Sequence, residues 1–369
     1  MFKLNTSPIH SWLKTSQKPL VIAGPCSAET EEQVIETAKQ IAANNDISAL
    51  RAGIWKPRTR PNAFEGVGEE GLKWLVKAGK EINKPVITEV ANAQHVEKAL
   101  KAGVDMLWLG ARTTVNPFFV QEIADALDGI DIPVLVKNPI NPDVQLWIGA
   151  LERLNKVGVT KLAAVHRGFS SFEKSVYRNV PMWEIPIQLK STFPELEIFC
   201  DPSHIAGNAS LIGEVCQQAL NLGFSGLMIE SHIDPANAKS DKEQQLTPSV
   251  LAEVLKSLTP KQVHSSNLQF QNKLEELRLQ IDEVDNALLK KLAERIELVA
   301  EIGNYKKEND VAILQIERWQ QILNSRENWG ILLDLHPEFV KLLLEVVHQE
   351  SIKIQTAIMD NQVEVVNKK

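Results

Sequence analysis

Residues 47–59 read ISALRAGIWKPRT, and the two halves of this stretch decide how the chain folds. The first half, ISALRAG at 47–53, is a short apolar run of the kind that forms a buried strand. From its end onward the stretch crowds three cations, Arg51, Lys56 and Arg58, into one loop that Pro57 stiffens. Arg forks and Lys point charges are the usual partners of phosphate and carboxylate oxygens. A solvated basic surface loop has the same composition, so this stretch alone does not choose between an anion site and plain surface. Recurrence along the chain makes the choice.

Apolar runs of the same kind return at 20–24 (LVIAG), 85–90 (PVITEV), 106–111 (MLWLGA), 133–138 (PVLVKN), 161–167 (KLAAVHR), 197–201 (EIFCD) and 226–230 (GLMIE). With 47–53 they make eight. Each is nearly continuous in apolar residues, as parallel strands covered on both faces are. Amphipathic stretches such as 31–43, 71–82 and 209–222 lie between them. Eight strand–helix units closed into a (β/α)8 TIM barrel form the simplest α/β architecture for this pattern. A doubly wound open sheet is the alternative, although no GxGxxG turn follows the first run.

The length of 369 residues suits such a barrel plus a small module, and 44% apolar residues are ample for a core. A net charge of −7 and a pI near 5.7 argue against general nucleic-acid binding, so any anionic ligand must be held by local cations. Three cysteines, Cys26, Cys200 and Cys216, fit a reducing compartment without a disulfide framework. The first residues lack an apolar stretch of signal-peptide length and no run is long enough for a bilayer, so a cytoplasmic protein is expected, with no membrane partner.

In a barrel the residues just past each strand face the active site. Those found there are Cys26, Arg51 with Lys56 and Arg58, Glu89, Arg112, Lys137, His166 with Arg167, His204, Glu230 and Asp241. Cys26, His204, Glu230 and Asp241 form a mixed sulfur, nitrogen and oxygen set suited to a divalent transition metal such as Mn2+. Arg51, Lys56, Arg112, Lys137 and Arg167 are enough cations for a phosphate plus a carboxylate. Each residue has a bland reading too: Cys26 as a buried hydrophobe, His204 as a core histidine, Asp241 as a solvated acid. Their joint placement at the same ends of successive strands favours a site.

The motifs GPCSAE (24–29), RAGIWKPRT (51–59), TEV (88–90), GARTTVNPF (110–118), VKNP (136–139), HRGF (166–169) and DPSHIAGN (201–208), with Glu230 and Ser240-Asp241, resemble DAHP synthase of the short, type I-beta kind. The resemblance covers about residues 12–258. It implies Cys26, His204, Glu230 and Asp241 as metal ligands. It implies that Arg51, Lys56, Arg112, Lys137 and Arg167 bind phosphoenolpyruvate, and that Lys56, Pro57, Arg58 and Thr59 line an erythrose 4-phosphate site. The related KDO-8-phosphate synthases share the barrel and many motifs, but usually carry a KANR-like loop where this chain has Lys56-Pro57-Arg58-Thr59. Val115 departs from the Gln of many relatives. An aldolase using Lys137 as a Schiff-base nucleophile is a rival chemistry for the same barrel.

After Pro248 a last barrel helix is expected over 249–257, ending the barrel domain (1–258), and the aperiodic polar stretch 259–267 reads as a linker. From 268 to 369 the periodicity is helical. Leu274, Leu277, Ile281, Val284, Leu288, Leu292, Ile296, Val299 and Ile302 step by three or four without Gly or Pro until Gly303. A helix this long implies a coiled coil or an intertwined bundle. Further helices are expected around 314–324 and 337–359. Arg295 and Lys306, eleven residues apart, share a face. Arg278 lies some 25 Å before Arg295 along the axis and must serve such a site from a second chain.

This spacing resembles the all-helical chorismate mutase: LRLQID (277–282), LAERIELV (292–299), Lys306, Arg318 and Ser351 with Gln355. The resemblance implies that Arg278 of a partner chain, Arg295 and Arg318 hold the substrate carboxylates. It implies that Lys306 and Gln355 donate to the ether oxygen and that Ser351 supports the ring. Gln315 stands where the family often has Asp, and Trp319 where a Glu often binds the substrate hydroxyl; Gln315 is the candidate to take over that contact. The combined expectation is a homodimeric, bifunctional enzyme making DAHP and converting chorismate to prephenate. With the first strand near residue 20, no further N-terminal regulatory domain is expected, so prephenate or chorismate would act as feedback signal through the helical domain. The alternative is a KDO-8-phosphate-type barrel with a non-catalytic helical dimerisation or regulatory module.

Overall fold

The computed structural model describes residues 3–13, 19–56, 63–262 and 265–361. Two compact units divide the chain, 1–263 and 264–369. In the first, eight parallel strands close in sequence order: β1 (Leu20–Gly24), β2 (Ala49–Arg51), β3 (Val86–Val90), β4 (Met106–Leu109), β5 (Val134–Lys137), β6 (Leu162–His166), β7 (Glu197–Cys200) and β8 (Gly226–Glu230). β1 pairs with β8 through Leu20–Gly226 to Gly24–Glu230, which excludes the open sheet. The helices α1 (Glu31–Asn44), α2 (Glu69–Glu81), α3 (Ala93–Ala102), α4 (Pro117–Ala126), α5 (Val144–Lys156), α6 (Glu184–Thr192), α7 (Ile212–Asn221) and α8 (Pro248–Ser257) follow the strands one by one.

Alternation along each strand sorts the side chains into two cores. Ile22, Ala49, Ile87, Trp108, Leu135, Val165, Phe199 and Met228 fill the barrel interior. Ala23, Leu50, Val90, Leu107, Val136, Ala164, Cys200 and Ile229 pack outward with the helices. The same alternation carries Arg51, Glu89, Lys137, Asp201 and Glu230 to the top of the interior. Helix starts are fixed locally: Thr30, Asn92, Asn116, Asp143 and Thr247 each accept a backbone N–H at a helix N-terminus.

The second unit holds three helices, α9 (Leu268–Glu308), α10 (Ile316–Leu332) and α11 (Pro337–Met359). Against the expected stop near 324, α10 runs to Leu332. Gly330 lets Val340 of α11 approach within 2.5 Å of where a Cβ would sit, so packing carries the helix on. Gly303 leaves α9 unbroken and faces Gln355 and Ile358 of α11. Leu277, Ile281, Val284 and Leu288 along the first half of α9 are exposed in the single chain. No helix among the described residues is long and apolar enough to cross a membrane.

Candidate active site

The strand ends surround a cavity of about 340 Å3 lined by Lys56, Glu89, Gly110, Arg112, Lys137, Arg167, Arg178, Asn179, His204 and Asp241, among others. Its floor is built of paired charges. Arg51, buried under Trp108 at 5.0 Å from the ring centre, donates from Nη2 to Glu230 Oε1 at 3.0 Å. Lys137 Nζ donates to Asp201 Oδ2 at 2.6 Å. Trp108 Nε1 donates to Glu89 Oε2 at 3.1 Å. Burial opposes the charge on Asp201, but His204 and Lys137 hold its carboxyl well below the usual range. Burial likewise opposes the charge on Glu230, and His204 and Arg51 hold it low. Among the described residues Arg51 Nε and Nη1 have no partner, two buried donors of the kind an anionic ligand would satisfy.

On one side of the cavity a sulfur and two carboxylates gather. One ligand atom each from Cys26, Glu230 and Asp241 lies within 4.8 Å of the others. Cys26 Sγ donates to Asp241 Oδ2 at 3.3 Å, and Lys56 Nζ donates to Cys26 Sγ at 3.0 Å and to the Cys26 carbonyl at 3.2 Å. Burial, reinforced by Glu230, pushes the Cys26 thiol up to about 12. A thiolate therefore needs a strong local positive charge. His204 stands beside this group. Its Nδ1 is 2.8 Å from Asp201 Oδ2 and its Nε2 is 3.8 Å from Glu230 Oε1. Burial lowers the His204 pKa, against the opposing pull of Asp201. Cys26, Glu230 and Asp241 fit a divalent transition metal by donor chemistry and by spacing, and His204 lies beside that group without joining its 4.8 Å cluster.

On the other side, Arg112 sits on the turn Ala111–Thr114 and Arg167 just past β6. Burial lowers the Arg167 pKa to about 10, still charged at neutral pH. His166, expected to face the site with Arg167, does not: it points outward from β6 into a cage of Trp147, Phe169, Trp183 and Phe224 rings. Pro57, Arg58 and Thr59 lie outside the described residues. Asp201, Arg178, Asn179 and Gln244 join the site without having been expected from the sequence. Asp201 had a signal, standing one residue past a strand and capping the turn that carries His204. Arg178 and Asn179 had none, inside an aperiodic connection.

In the helical unit, Arg295 Nη1 donates to Ser351 Oγ at 2.8 Å, joining α9 to α11. Gln355 is buried there, its Oε1 without a partner among the described residues. Lys306 Nζ donates to the Ile313 carbonyl at 2.5 Å. Trp319 stacks on His348 at 3.8 Å, and burial, Arg295 and Lys306 all lower the pKa of that histidine. Arg318 and Gln315 are exposed in the single chain. Arg278 is exposed, 3.7 Å from Glu275, and 28 residues before Lys306 on one unbroken helix, about 40 Å along the axis.

Residues 12–265 match the DAHP synthetase I family. The chain belongs to that family. Residues 277–356 of this DAHP synthetase I family chain match chorismate mutase type II. The phospho-2-dehydro-3-deoxyheptonate aldolase of Thermotoga maritima is 30% identical over 238 residues, covering 64% of this chain and 68% of that protein. The crystal structure of that Thermotoga maritima DAHP synthase aligns with TM-score 0.58 at 30% identity over 64% of this chain and 66% of that chain, just under two thirds. A 2-dehydro-3-deoxyphosphooctonate aldolase of Vesicomyosocius okutanii is 26% identical, covering 64% of this chain and 88% of that protein. The closed barrel and the helical region thus carry a DAHP synthase domain and a chorismate mutase domain.

Proposed function

We propose that the chain condenses phosphoenolpyruvate with erythrose 4-phosphate, giving DAHP and phosphate, and rearranges chorismate to prephenate. One observation carries the first activity: a thiol and two carboxylates converge beside a cavity ringed by Lys56, Arg112, Lys137 and Arg167. These cations hold two phosphorylated substrates together against their mutual repulsion. The methylene carbon of phosphoenolpyruvate attacks the aldehyde carbon, whose oxygen takes a proton; water adds to the neighbouring carbon that bears the phosphate, and that phosphohemiketal expels phosphate to leave the ketone. Cys26, His204, Glu230 and Asp241 would hold a divalent ion, Mn2+ or similar, which supplies Lewis-acid polarisation of the aldehyde oxygen. Arg51, with two donors that have no partner among the described residues, orients the phosphoenolpyruvate carboxylate. Pro57, Arg58 and Thr59 belong to the sugar-phosphate side.

The experiment assays metal-stripped full-length protein, with and without divalent metals, on phosphoenolpyruvate plus four- and five-carbon sugar phosphates. Metal-dependent turnover of the four-carbon substrate is expected. Preference for the five-carbon one would move the reading to the octulosonate relatives. Full activity of metal-stripped Cys26→Ala would remove the metal role.

In the helical unit no nucleophile is required. Arg295, Arg318 and Arg278 of a second chain bind the carboxylates, Lys306 and Gln355 donate to the ether oxygen as charge grows there, Ser351 supports the ring, and Gln315 takes the substrate hydroxyl. The exposed apolar stripe of α9 suits a homodimer. Prephenate or chorismate bound there would feed back on condensation in a cytoplasmic, allosteric enzyme. Equal inhibition of a chain truncated after Ser257 would contradict this regulation.

A further inference from the structure

We propose that the dipeptide Arg178-Asn179 is a clasp holding the metal side and the anion side of the barrel site in register, both residues acting by positioning others. The proposal rests on the condensation reading above for what the two sides bind. The dipeptide ends a long connection between β6 and α6 and is fixed by its backbone first. Arg178 N donates to the Ala206 carbonyl at 3.3 Å and Asn179 N to that of Ile205 at 3.2 Å, both on the turn that carries His204. Phe169 and Val180 exchange two backbone bonds at 2.8 and 2.9 Å, closing the connection on itself. Gly168, at φ +75°, makes this closure possible: a Cβ there would lie 2.6 Å from the Asn179 carbonyl oxygen.

The two side chains then diverge. Asn179 Oδ1 accepts from Arg167 Nη1 at 2.7 Å, and its Nδ2 donates to the His204 carbonyl at 2.6 Å. Asn179 is buried, so neither bond competes freely with water. Arg178 Nη1 donates to Asp241 Oδ1 at 2.9 Å and to Gln244 Oε1 at 2.6 Å, while Gln244 Nε2 donates to Glu230 Oε2 at 2.7 Å. Two adjacent residues thus reach three of the metal-side groups and one anion-side cation. Arg178 sets the orientation of both acids, and Asn179 sets the distance between Arg167 and the histidine turn. Partners of this kind typically change metal affinity about 10–100-fold when removed.

The test uses full-length, metal-free protein. Co2+ is titrated while thiolate-to-cobalt absorption is read, and phosphoenolpyruvate is titrated by calorimetry without metal. Arg178→Ala is expected to weaken Co2+ about tenfold or more and to leave phosphoenolpyruvate within about twofold. Arg178→Lys, which keeps a donor, regains most of the Co2+ affinity. Asn179→Ala is expected to weaken phosphoenolpyruvate about tenfold and Co2+ several-fold. Equal losses of both ligands in both alanine variants, tracking a lowered melting temperature, would reveal a plain loop staple and overturn the assignment, as would wild-type affinities in either. If the wild-type chain binds both probes, with these variant effects, yet condenses no sugar phosphate, the reaction reading fails and the clasp stands. If the wild-type chain gives no thiolate absorption, the clasp falls.

Discussion

Replacing His166 with phenylalanine should make the barrel resistant to mild acid. The imidazole is fully buried against four aromatic rings, the nearest being Trp183 with ring centres 5.1 Å apart. Among the described residues neither ring nitrogen has a well-formed hydrogen bond, and the Pro181 carbonyl opposes the shift only in part. Burial, helped by the Arg167 charge, lowers its pKa from 6.5 to about 3. The unfolded chain therefore binds a proton that the folded chain refuses between these values. Stability from this group is intact above pH 6.5 and falls as pH drops toward 3. At one pKa unit per 1.36 kcal/mol, the loss between pH 7 and pH 5 is about 2 kcal/mol. His166→Phe fills the cage without a titrating group. We expect it within about 1 kcal/mol of wild type at pH 7 and about 2 kcal/mol more stable at pH 5. Urea unfolding at both pH values, followed through the barrel transition by tryptophan fluorescence, reads this directly. Equal loss between pH 7 and pH 5 in both proteins would refute the reasoning.

The other predictions concern the two sites. Mixing inactive Arg278→Ala and Lys306→Ala chains one to one should restore about a quarter of wild-type mutase activity, because half the dimers are mixed and one of their two sites is intact; no recovery after subunit exchange counts against a shared site. Arg51→Ala leaves Glu230 buried without its cation and should destabilise the barrel by about 3–5 kcal/mol in chemical denaturation. Gly110→Ala puts a Cβ 2.0 Å from Glu89 Oε1 and should cost about 1–3 kcal/mol while raising KM for phosphoenolpyruvate, since Arg112 follows two residues later; unchanged kinetics would remove Arg112 from the anion site.

The barrel was legible because its strands are short, apolar and evenly interrupted, and because strand ends share one rim. Their exact lengths were not. The run 47–53 yields a strand of three residues, since Gly53 already bridges to Ser27 in the next layer of loops. His166 was misread for a reason of parity: Val165 points inward, so the next residue points to the helices, however polar it is. Periodicity gave α9 its length, but the helix expected around 314–324 falls short of the observed α10, because packing of Gly330 against Val340 is invisible in local sequence. The Trp319–His348 stack was equally hidden, joining two helices through residues with no shared period.

The paired charges under the cavity have an evolutionary consequence. Each member of Arg51–Glu230 and Lys137–Asp201 is balanced inside the barrel, so altering either one strands its mate. Drift in substrate size is therefore channelled into the loops above, where a new side chain can be tried without unsettling the plug beneath it. A lineage of such barrels would diverge at its mouth while its throat stays fixed.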